Sequence, residues 1–175
     1  MKWDKLPGTP EQIEARHKLC NLLESGAYAQ GTGALHRKAF RNDAAVEEFC
    51  VLGLAIEVAD LVRNNRVRQH GERRWKNQYG MNFVEEYPCR AMFGVGHAEL
   101  HEITPPSEFL PYMYGLPTRI PAEFFQSDEG RVLFAEVYPD RDPDDNFEPE
   151  WWELNDGARQ WTFPQLARLI RELAE

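Results

Sequence analysis

The stretch leading into and through Phe49-Cys50-Val51-Leu52-Gly53-Leu54-Ala55 constrains the fold more than any other. Asn42 or Asp43 can cap a helix that runs to about Val62. On it Ala45, Phe49, Leu52, Ile56 and Ala59 share a face, which Val51, Ala55, Val58 and Val62 widen. Apolar residues then cover more than half the circumference, so neighbours are needed on several sides. The expectation is an α+β, mainly helical single domain over 1–175 with a central buried helix at about 43–62. The terminal helices pack on it, and a small antiparallel sheet from mid-chain covers one side.

Both terminal helices announce themselves through capping. Thr9-Pro10-Glu11-Gln12 has an N-cap threonine, proline at the first helical position and a capping-box glutamine. Ile13, Leu19, Cys20, Leu22 and Leu23 continue a stripe that Ser25-Gly26 ends. Thr162-Phe163-Pro164-Gln165 repeats the device, with Leu166, Leu169, Ile170 and Leu173 on one face. Gln30-Gly31-Thr32-Gly33 permits a tight turn or a short edge strand.

The middle is less regular and reads as an irregular insertion within 64–150. Segments 90–103 and 130–138 look like short strands, and a short helix follows Pro121. Residues 139–150 are acidic and proline-punctuated, as an exposed loop would be. From Glu136 to Asp156 there are nine carboxylates against the single basic residue Arg141.

A net charge of −9 argues against a general nucleic-acid binder, since phosphate binding needs a basic face. It suits a protein whose acidic surface meets a basic partner. The basic run Arg63, Arg66, Arg68, Arg73, Arg74 and Lys76, with Trp75 and Tyr79 among it, is the one stretch that fits nucleic acid; a solvated connector explains it as well. Three widely spaced cysteines imply no disulfide framework. The polar N-terminus and the lack of a membrane-length apolar run point to the cytoplasm, with no membrane association.

Chemistry has few candidates. Gln30 upstream of Cys50 resembles thiol hydrolases, in which a glutamine helps form the oxyanion hole. On a helix beginning at Asp43, however, Cys50 sits about two turns in and beyond the dipole's help. It also falls on a strip with Glu47, Glu57 and Asp60, whose charges disfavour a thiolate. His97, Glu99 and His101 share a face in a strand and are weak candidate metal ligands, but Ala98 breaks the zincin pattern. Asp140 to Asn146 alternates carboxylates but lacks the glycine and glutamate of an EF-hand. No cofactor is expected. Trp151 and Trp152, beside the carboxylates, serve either as interface anchors or as core under the terminal helix.

Several segments in order carry a resemblance. They are Tyr28-Ala29-Gln30-Gly31-Thr32-Gly33-Ala34-Leu35, Phe49 to Ala55, Leu116-Pro117, Leu154-Asn155-Asp156, and the closing helix from Thr162-Phe163 to Ile170. Together they resemble a family of small proteins encoded by tailed phages and prophages, mostly of actinobacterial and proteobacterial hosts. The likeness is good at both ends and over 28–55, and poor from 64 to 150. It brings neither an activity nor catalytic residues; it implies an accessory protein acting in the host cytoplasm. The expected function is stoichiometric binding of a host protein with a basic surface, for host takeover or counter-defence, through Asp142, Asp144, Asp145, Trp151 and Trp152. The alternatives are a hydrolase using Cys50 or His97/His101, and a nucleotide or small-ligand sponge using Arg73, Arg74 and the Gly31–Gly33 turn.

Overall fold

The computed structural model describes residues 1–32, 36–41, 44–55, 58, 109–143 and 146–175. His97, Glu99, His101, Asp144, Asp145, the basic run 63–76 and the expected strand at 90–103 lie outside them. What is described is mainly helical α+β, as expected.

Helix α1, Pro10–Glu24, starts as its capping box requires. Gln12 N donates to Thr9 Oγ1 at 3.3 Å, and Thr9 N donates to Gln12 Oε1 at 2.9 Å. It buries Ala15, Arg16, Leu19, Cys20 and Leu23, while Ile13 stays exposed. The C-terminal helix, α7 (Phe163–Ala174), uses the same box and buries Leu166, Ala167, Leu169, Ile170 and Leu173. α1 and α7 pack directly on one another. The N-terminal segment then straps the end of α7: Leu6 N and Trp3 Nε1 both donate to Leu173 O, at 2.8 and 3.0 Å.

The expected helix from residue 43 is corrected. Its first third is a strand, and helix α2 opens only at residues 51–55, with Val58 also helical. β1 (Ala29–Gln30), β2 (His36–Arg41) and β3 (Ala44–Phe49) form a sheet in the order β1-β3-β2. Arg41 pairs with Ala44 and His36 with Phe49, so residues 44–49 are held by the ladder to β2. Pairing with a neighbouring strand overrides the helical apolar pattern that sequence alone displays. Burial supports the corrected boundary: Val51, Leu52, Leu54, Ala55 and Val58 are all core, so α2 keeps its central place.

Among the described residues the sheet is built from residues 29–49, the expected mid-chain strand at 90–103 lying outside them, and it differs from the expected antiparallel sheet in being mixed. β2 runs antiparallel to β3, but β1 runs parallel to it, with Gln30 opposite Phe49. The expected strand at 130–138 is also corrected, because it falls in a helix. α3 (Phe109–Tyr114) and α4 (Ala122–Gln126) precede α5 (Asp128–Val137). Ser127 Oγ accepts from Gly130 N at 3.1 Å, which caps α5, and Leu133 and Phe134 face the core while Val132 is exposed. The α4–α5 corner is so tight that a Cβ on Gly130 would lie 1.9 Å from Phe124 O. α6, Trp151–Asp156, completes the set. No helix among the described residues is long and apolar enough to cross a membrane.

Candidate functional site

Four of the segments that carry the resemblance meet around Gln30 and Asn155. Gln30, on the short strand β1, uses its whole side-chain amide. Nε2 donates to Asn155 Oδ1 at 3.0 Å and to Trp161 O at 2.8 Å, and Oε1 accepts from Phe163 N at 3.0 Å. Asn155, fully buried on α6, accepts from Val51 N at 3.2 Å and donates to Gly31 O at 2.8 Å. Tyr28 meets Phe49 edge-on with ring centroids 5.2 Å apart. Pro117 O accepts from Trp151 Nε1 at 2.8 Å. Four of the five segments are thus tied to one another by packing or by hydrogen bonds, and Pro117 is tied to α6 through Trp151.

Cys50 borders this cluster, and its position is corrected. It is not two turns inside a helix but immediately precedes α2, where Gly53 N donates to Sγ at 3.4 Å and Leu54 N to its carbonyl at 3.0 Å. A thiol at a helix start is the position that thiol hydrolases use. Here burial outweighs it: the thiol is 4% exposed, and desolvation pushes its pKa up to about 11. Hydrogen bonds from Gly53 and Leu52 oppose that rise, whereas the charge of Asp156 adds to it. Gln30, the candidate oxyanion donor, is fully committed elsewhere. A neutral buried thiol beside a committed glutamine is architecture.

Of the turn expected to receive phosphate, Gly31 is described and Gly33 lies outside the described residues. Gly31 N donates to Phe49 O at 2.8 Å, so that amide is not available to an anion. Among the described residues no group of three or more His, Cys, Asp or Glu is arranged to hold a metal ion.

The acidic stretch divides the two tryptophans that sequence left together. Trp151 is 1% exposed and belongs to the core, which corrects its place as a partner-binding residue. Trp152 is 46% exposed and donates from Nε1 to Glu150 Oε2. Glu150 Oε1 in turn accepts from Arg119, at 2.5 Å. Asp140, Arg141 and Asp142 are exposed, as expected of a solvated loop. The chain then dips inward at Phe147 and Pro149.

That dip forms an open hollow of about 310 Å³ between the end of α5, residues 146–149 and α6. Tyr138, Phe147 and Leu154 supply its apolar wall, and Arg119, Glu148 and Glu153 its charges. Glu153 caps α6 by accepting from Glu150 N at 2.7 Å. The Glu148 carboxylate makes no ion pair among the described residues. Sequence reading named neither the hollow nor the role of Asn155. The available signals were aromatic residues punctuating the acidic loop, and an asparagine where a short helix turns inward. Comparison with protein-family models, curated proteins and solved structures finds no match to this chain.

Proposed function

We propose that the chain is a phage-encoded accessory protein that binds a host protein with a basic surface stoichiometrically, in the host cytoplasm and without catalysis. Host takeover or blocking of a defence system is the process this serves. The observation that carries the reading is Trp152, a half-exposed indole set among carboxylates. An exposed tryptophan on a charged face is the residue type that most often anchors a partner. The surrounding acidity steers a basic surface towards it. Asp142, on the exposed stretch before α6, contributes to that field.

The test is parallel capture from host lysate by the wild type and by Trp152→Ala. A host protein held in stoichiometric amount by the wild type and lost by the variant supports the reading. Capture of nothing, or equal capture by both, sinks it.

A further inference from the structure

Resting on that reading, we infer that the hollow between α5, the 146–149 segment and α6 is a receptor for an arginine side chain from a basic peptide segment of the partner. The first support is the wall. The rings of Tyr138 and Phe147 lie 5.9 Å apart at 75°, forming two sides of a corner in which a ring face attracts a planar cation. The second support is the site's behaviour towards the chain's own guanidinium groups. Arg141 and Arg159 lie 5.9 and 5.8 Å from the Tyr138 ring centroid, so guanidinium groups of the chain already gather at this ring.

The third support is charge. Arg119 is neutralised by Glu150, which leaves Glu148 facing the hollow without a cation among the described residues. An arginine entering between Phe147 and Leu154 lays its aliphatic stem on apolar carbon and brings its guanidinium to the Glu148 carboxylate. About 310 Å³ is at the small end of ligand sites, enough for one long side chain and not for a folded element. Lysine fits less well, because its compact, strongly hydrated ammonium stacks on rings more weakly than a guanidinium.

Calorimetric titration with a hexa-arginine peptide at low ionic strength tests this, with hexalysine in parallel. Hexa-arginine binds the wild type at least about threefold more tightly than hexalysine. Glu148→Lys weakens hexa-arginine about tenfold or more at an unchanged melting temperature, whereas Asp142→Lys, equally exposed but outside the hollow, costs less than about threefold. Equal losses from the two reversals reveal diffuse attraction to an acidic surface and overturn the receptor. So does equal affinity for the two peptides, or an absence of binding. The outcomes separate from those of the capture experiment. A partner held through Trp152 with no hexa-arginine binding overturns the hollow and leaves the binder; hexa-arginine binding without any captured partner does the reverse.

Discussion

Gln30 and Asn155, 125 positions apart, are joined side chain to side chain by a 3.0 Å hydrogen bond. Through it the strand that follows α1 is locked to the helix that precedes α7. Asn155 also satisfies Val51 N and Gly31 O, two backbone groups in a buried place. Asn155→Ala leaves all of these without their partner, and each unsatisfied buried group costs about 1–3 kcal/mol. The expected loss is about 3 kcal/mol or more in chemical denaturation. Gln30→Ala combined with it costs less than the two singles added, because they share partners. Strict additivity shows that the two side chains act separately.

Arg16 supports a second prediction. It is fully buried, and its guanidinium donates to five carbonyls, those of Leu6, Pro7, Tyr114, Gly115 and Ala174. Two helix C-termini, those of α3 and α7, thereby share one cation, which suits the negative end of each dipole. Desolvation lowers its pKa, and the charge of Glu175 opposes that. Gly115 completes the nest: it holds φ +58, and a Cβ there would lie 2.7 Å from Arg16 Nη2. Arg16→Lys keeps the charge but cannot span the five acceptors, so it destabilises by at least about 2 kcal/mol in a denaturant titration. A lysine variant as stable as the wild type shows the fork geometry to be dispensable.

How far the fold could be read varied with the kind of signal. The terminal helices were legible because a capping box is local chemistry: Thr9 with Gln12, and Thr162 with Gln165, need nothing distant. The boundary at residue 50 was not, because Ala45 and Phe49 fit a helix face in sequence, and only their pairing with β2 makes them strand. RVLFAEVY has β-rich composition, yet Ser127 caps it and its Leu133 and Phe134 pack as a helix does; tertiary context overrode propensity. In the candidate site, Cys50 was visible by residue type, but its burial and Gln30's commitment depend on Asn155 and Trp161, over a hundred residues away. Trp151 and Trp152 show the limit most simply. Adjacent residues at the start of a helix face different ways, and no periodicity was available in a six-residue element to say which is inside.

The buried thiols give a prediction in pH. Cys20 and Cys50 have pKa values raised from 9.0 to about 12 and about 11, by burial first. Below pH about 9 the thiols are neutral in folded and unfolded chains alike, and their contribution is fully present. Above it the unfolded chain ionises while the folded one does not, so stability falls as pH rises through about 9 to about 12. The Cys20→Ala, Cys50→Ala double variant loses that part of the alkaline slope. Site-resolved alkylation by iodoacetamide at pH 8 should leave Cys50 unmodified until denaturant is added. Rapid modification in the native protein reopens the nucleophile reading.

Trp151 and Trp152 make the last prediction, because one substitution repeated at neighbouring positions separates fold from interface. Trp151 is enclosed, with its indole N–H held by Pro117 O, and truncation to alanine removes both a large buried surface and that bond. Trp151→Ala therefore costs about 3–5 kcal/mol and lowers the melting temperature strongly. Trp152 is half-exposed and donates its N–H to Glu150, so Trp152→Ala shifts stability by no more than about 0.5 kcal/mol. Binding reverses the order. With the captured partner on a kinetic sensor, Trp152→Ala raises the off-rate, since an anchor acts after encounter. Charge reversal at Asp142 instead slows association and flattens its salt dependence. Folded Trp151→Ala protein, studied well below its melting point, retains normal rates. A Trp152→Ala protein that melts early and binds normally would place Trp152 in the fold and remove the anchor on which the binding face depends.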